Sequence, residues 1–247
     1  MKLKKDEGVS SVVAIMLILA VLVIGISLFM GIYLPDLKET SEIQNSEQIR
    51  DVFLSYATTI DGAYSTQQSG YYSWVLSLGA GDVLLSPSKS SGTFELKNNH
   101  NNISITYDES ASSIDCKKLD ITYIPTISYW SDLGYEYSNG VVKVKKDSGK
   151  DSGNRSVEYL TLTNSKNGYF VNGDTLTVID FDVETGSNFK SGSGTATLTL
   201  KIEKDTYNCK TFVSTQNITI QNITINSSPT TYGISKIIVL NATVSIK

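Results

Sequence analysis

The chain has 247 residues, 40% of them hydrophobic and 19% charged, with a formal net charge of −4. That length holds one membrane anchor and a single sizeable domain able to bury a core, and the acidic balance excludes nucleic acid as an electrostatic partner. With two cysteines, one histidine and no H-E-x-x-H, G-x-S-x-G, Gly-rich phosphate loop or C-x-x-C, hydrolase, nucleotide and zinc chemistry have no motif to stand on, so neither catalysis nor a cofactor is expected.

The first element is KKDEGVSSVVAIMLILAVLVIGISLFMGIYLP, residues 4–35, with no charge between Glu7 and Asp36. As a helix, Gly8 to Pro35 reaches roughly 40 Å, more than a hydrocarbon core of ~30 Å. The apolar run is too long for a secretory signal of ~7–15 apolar residues, and no A-x-A-like cleavage site follows it. Lys2, Lys4 and Lys5 precede it, while Asp36, Glu39, Glu42, Glu47 and Asp51 follow. The positive-inside rule then puts the N-terminus in the cytoplasm and everything after Pro35 outside.

A short basic leader, a glycine at position 8 and an apolar helix directly after it resemble the class III leader of type IV pilin-like proteins. The string VSSVVAIMLILAVLVIGISLF is most similar to the opening of archaeal type IV pilins, and the resemblance covers roughly residues 2 to 34. It implies that a prepilin peptidase cuts between Gly8 and Val9, so that residues 1–8 are the leader and 9–35 a helix serving first as membrane span and then as filament core. Copies of this chain or other pilins would be its partners there. The fifth mature residue is Val13, where bacterial members usually carry Glu; archaeal members often lack it. Ser27 and Gly31, with Gly25 near the same side, permit close helix approach.

After Pro35, which should bend or end the first helix, Ile43, Ile49, Val52, Phe53, Tyr56 and Ile60 recur mostly at three- and four-residue spacings. This predicts an amphipathic stalk helix over residues 36–62. Residues 63–247 read as a β-sandwich of Greek-key type, which makes the fold class mainly β with a long N-terminal α-helix. NISITY (102–107) and KKLDITYIP (117–125) alternate as half-buried strands. YEYSNGVVKV predicts a tight hairpin at Asn139-Gly140. The segments 157–163, 174–183, 195–202, 217–225 and 236–247 continue the series, and the charged 145–156 stretch reads as a solvated loop tip.

Cys116 and Cys209 both fall in the predicted exterior, where a disulfide can persist; a bridge and two buried thiols are both open readings. Asp180, Asp182 and Glu184 alternate and could aim carboxylates at calcium; a plain solvent face is the other reading, and no metal is assigned. His100 sits in the polar run KNNHNN and carries no catalytic assignment. Six Asn-x-Ser/Thr sequons, at Asn102, Asn154, Asn217, Asn222, Asn226 and Asn241, are candidate N-glycosylation sites, and the archaeal resemblance implies the machinery to use them. Two functions are compatible with all of this. One is a structural subunit of a surface filament, with tyrosine-rich stretches that could adhere; the alternative is a membrane-tethered extracellular binding or envelope protein that never polymerises.

Overall fold

The computed structural model describes residues 7–82, 88–107, 112–127, 133–138, 140–147, 157–162, 168–222 and 230–247. Asn154, Asn226 and most of the 145–156 loop lie outside these residues, as does Asn139 of the hairpin.

Helix α1 (Glu7–Leu28) runs through a single π-turn (Phe29–Tyr33) into α2 (Leu34–Thr66). At 1.5 Å per residue the continuous rod is about 90 Å long. Proline explains the π-turn. Pro35 has no N–H, and in a regular helix its ring would press on the carbonyl four residues back. One wide turn just before it, in which the Leu34 N–H reaches the Phe29 carbonyl, lets the helix continue past the proline. The helix stops at Gln67, which takes the left-handed conformation (φ 57°) while its N–H still bonds the Ala63 carbonyl at 2.8 Å.

Twelve strands follow among the described residues: β1 (Gly70–Ser77), β2 (Ser91–Tyr107), β3 (Ser112–Ile127), β4 (Leu133–Ser138), β5 (Val141–Asp147), β6 (Val157–Thr161), β7 (Tyr169–Asn172), β8 (Thr175–Val183), β9 (Phe189–Gly192), β10 (Thr195–Lys204), β11 (Lys210–Asn222) and β12 (Thr230–Ile246). The fold is therefore mainly β with one long N-terminal helix. The strands form one hydrogen-bonded sheet in the order β1-β10-β12-β11-β2-β3-β4-β5-β6, with β7, β8 and β9 attached at its side. All pairs are antiparallel except β8 with β12. The hairpin expected at Asn139-Gly140 is present: Ser138 pairs with Val141, and Gly140 has the positive φ (80°) that a two-residue loop demands.

One sheet serves two cores because its long strands change buried face partway. On β12, Ile237 and Val239 point into one cluster, while Ile238, Leu240, Ala242, Val244 and Ile246 point into the other. β8 does the same, with Leu176 and Val178 against Ile179 and Phe181. The apolar run at 237–240 is what burial on both faces requires. The larger cluster is closed by α2 through Ile49, Phe53, Tyr56, Ala57, Ile60, Ala63 and Tyr64. The smaller, between β2, β3, β8, β11 and β12, contains no helical residue. In β2 and β3 the switch is made by a bulge: Asn99 faces Lys118, but the next pair is Ile103 with Cys116.

Candidate functional site: the apolar helix and its junction with the β domain

From Val12 to Tyr33 every large apolar side chain of the rod except Phe29 is about half to two-thirds exposed, on all sides of the helix. This stretch has the length and composition to cross a membrane, and none of it is buried in the rest of the chain. Water is a poor environment for such a surface, since each Å² of apolar area left wet forfeits about 25 cal/mol. A Cβ built on Gly25 or Gly31 would meet nothing within 4 Å, so both positions stay open to close approach by another helix.

The junction above it is polar. The buried face of α2 begins with Lys38, Glu42 and Asn45 and becomes apolar only from Ile49 onward. Lys38 Nζ donates to the Ser88 carbonyl at 3.1 Å and to Ser88 Oγ at 2.6 Å. Gly81 N–H donates to Ser41 Oγ at 3.1 Å, and Ser46 shares a 2.9 Å hydrogen bond with the Tyr135 hydroxyl. The β1–β2 loop, which supplies Ser88 and Gly81, is itself pinned: Ala80 N–H donates to Ser90 Oγ at 2.7 Å. It also needs Gly79, where a Cβ would lie 1.9 Å from the Ser90 carbonyl oxygen. These hydrogen bonds join the first turns of α2 to the β domain just beyond Pro35.

Above the junction, the Phe53 ring lies 5.7 Å from Phe94 and 5.9 Å from Tyr135; Tyr56 meets Tyr137 (5.0 Å) and Trp74 (5.6 Å) edge-on. Of the tyrosine-rich stretches, Tyr64, Tyr123, Tyr135 and Tyr137 are core. Tyr71 and Val75 are each 69% exposed on the sheet's terminal strand β1, with Tyr72 also at the surface.

The remaining sequence candidates scatter. Gly8 and Val9 lie in the first turn of α1, where helix N–H groups lack intrahelical partners; the side chains of Val9, His100, Asn102 and Asn222 are outside the described residues. The Cys116–Cys209 bridge is not formed. Both are free thiols: Cys116 is buried in the smaller cluster, and Cys209 is half-buried against the larger one, where its sulfur takes the Val239 N–H at 3.4 Å. Burial pushes the Cys116 thiol up to about 12, with Asp180, Asp115 and Asp205 adding to the shift, which suppresses its thiolate.

The carboxylates on β8 have protein partners. Asp180 accepts the Lys117 N–H at 2.6 Å, Asp182 pairs with Lys117 Nζ at 3.3 Å, and Glu184 pairs with Lys247 at 3.4 Å. Hydrogen bonds from Ser245 and Lys247 hold the Glu184 carboxyl below the usual range, whereas burial raises Asp180. Among the described residues no group of three His, Cys, Asp or Glu side chains could hold a metal ion. Of the described sequon side chains, Asn217 is exposed on β11, and exposed Asn241 on β12 donates to Asp205 at 3.2 Å.

Comparison with protein-family models, with characterised proteins and with solved structures finds no match.

Proposed function

We propose that this protein is a structural subunit of an archaeal type IV pilus-like surface filament, made as a membrane-anchored precursor, cut after Gly8 and assembled through its apolar helix. The observation that carries the reading is the rod itself: an uncharged helix, apolar on every side and covered by nothing in its own chain, continuous with an α2 that is bonded into the β domain. Such a helix has two stable environments, lipid and a bundle of like helices. The order of basic leader, Gly8 and apolar onset supports passage from the first to the second.

In this account a prepilin peptidase on the cytoplasmic side severs the Gly8–Val9 bond. Loss of the leader removes three lysines that would otherwise hold the chain's end at the membrane face. The helix then packs among copies, with Gly25, Ser27 and Gly31 allowing close approach, while the β domain covers the filament outside the cell and presents Tyr71, Tyr72 and Val75. Intact mass and N-terminal sequence of the protein from the cells that make it test the first step. The mature chain is expected to start at Val9, and Gly8→Val to leave residues 1–8 attached by placing a branched side chain at the cut. A native chain that retains its leader would instead make this a permanently tethered ectodomain.

A further inference from the structure

Among the described residues, the edge of β2 away from β3 has a gap. β9 pairs with Gly92–Glu95 and β11 with Ile103–Thr106, while Leu96 N–H donates to the Asn188 carbonyl at 2.8 Å. Between them, from Lys97 to Asn102, no strand among the described residues pairs with this edge, and here β2 bulges. The gap opens into a groove of about 760 Å³ between β2 and the β8–β9 turn, within the range of small-ligand sites, ~300–1,000 Å³.

The lining is chemically specific. Asn98, Asn188 and Thr185 are exposed in it and offer amide and hydroxyl groups that both donate and accept. Two carboxylates complete it, each already oriented by the protein. Asp120 accepts from Asn99 Nδ2 at 2.8 Å and from Ser138 Oγ at 2.6 Å, and Glu184 is held by Ser245 and Lys247. A carboxylate has about four lone-pair sites, so each keeps acceptor capacity towards the groove. The cation in the lining, Lys97, is paired with Glu95 at 2.8 Å. Leu96 and the half-buried Val183 supply the apolar part of the lining.

Fixed acceptors, amides and a hydroxyl beside the apolar Leu96 and Val183, without an excess cation, suit a ligand that is neutral, rich in hydroxyls and has one apolar face. We infer that this groove binds a neutral oligosaccharide. The binding does not require polymerisation, so it stands or falls separately from the filament reading.

The test uses the full chain in phosphatidylcholine nanodiscs, free of glycoside detergents, titrated calorimetrically with maltotetraose, mannotetraose, chitotetraose, trigalacturonate and tetra-alanine. At least one neutral tetrasaccharide is expected to bind with a Kd of ~1 mM or tighter, and trigalacturonate and tetra-alanine at least about tenfold more weakly. Asn98→Ala and Asn188→Ala should each weaken the neutral ligand about tenfold by removing a directed hydrogen bond, and Asn98→Trp should abolish binding by filling the groove, all with unchanged melting temperatures. The inference is overturned if no neutral tetrasaccharide binds by ~10 mM, if the acidic sugar or the peptide binds preferentially, or if Asn98→Trp binds normally. Should Asn98→Trp not fold, Asn188→Ala and Thr185→Ala decide alone, and wild-type affinity in both overturns it.

Discussion

Tyr56 offers a test in which the sign of the effect is decided by one atom. Its ring is 1% exposed and wedged edge-on between Tyr137 and Trp74, and its hydroxyl has no hydrogen-bond partner among the described residues. A buried hydroxyl left unpaired costs ~1–3 kcal/mol, and burial correspondingly pushes its phenol well above the ordinary range. Tyr56→Phe keeps the ring packing and removes the penalty, leaving a gap smaller than a methyl group. The net expectation is stabilisation of about 1 kcal/mol, or a rise of ~2–4 °C in Tm for a chain of this size. Tyr135→Phe is the control, because there the hydroxyl bonds Ser46 at 2.9 Å; its loss should destabilise by ~0.5–1.5 kcal/mol. Thermal unfolding of the full chain in nanodiscs, followed by tryptophan emission, reads both. If Tyr56→Phe lowers Tm as much as Tyr135→Phe does, the Tyr56 hydroxyl is bonded and the reasoning fails.

Phe53→Ala, which empties the contact between α2, Phe94 and Tyr135, should cost ~3–5 kcal/mol and make α2 susceptible to limited proteolysis. Lys118 is 4% exposed, and burial, opposed by Asp120, lowers its pKa from 10.5 to about 8. Between these values the unfolded chain holds a proton that the folded chain has lost, so stability should rise with pH across this window by up to ~3 kcal/mol; Lys118→Met should flatten the rise and stabilise the protein at pH 7. Tyr123 titrates the other way: burial, with Glu42 adding, raises it from 10.0 to about 12. Its contribution is complete below pH 10 and lost as pH rises towards 12, which unfolding curves in the Lys118→Met background should show. Leu19→Asp, at a position 61% exposed and wholly within the apolar helix, should abolish both membrane retention and filament incorporation, since an unpaired carboxylate in lipid or in a helix bundle costs ~2.5–3.5 kcal/mol or more; cell fractionation reads the loss.

The strands were legible where alternation was strict, as in NISITY and TATLTLKI, and at Asn139-Gly140, where the turn chemistry has few alternatives. β1, β7, β9 and the first half of β11 were not, because they are short or polar, or expose apolar residues such as Tyr71, Val75 and Phe189 where alternation predicts burial. The stalk helix was readable from Ile49 to Ile60 through its apolar spacing. Its first turns were not: Lys38, Glu42 and Asn45 occupy the buried face while Ile43 is only half-buried, since the β1–β2 loop meets this part of the helix with hydroxyls and carbonyls. The parallel pairing of β8 with β12 had no local signal, although the run Ile237-Ile238-Val239-Leu240 carries the mark of burial on two faces. Nor does spacing along the chain place two sulfurs: Cys116 and Cys209 ended against different clusters. The groove beside β2 depends on where β9 begins and β11 ends, at Phe189 and Asn222, which is a property of the assembled sheet.

On the proposed reading, the apolar helix passes from membrane to filament. Surface filaments sheared from the cells that make this protein, purified away from membranes and sequenced from the N-terminus, test it most directly. Such filaments are expected to contain this chain beginning at Val9. Finding the chain only in membranes, with its leader intact and absent from every filament preparation, would contradict it.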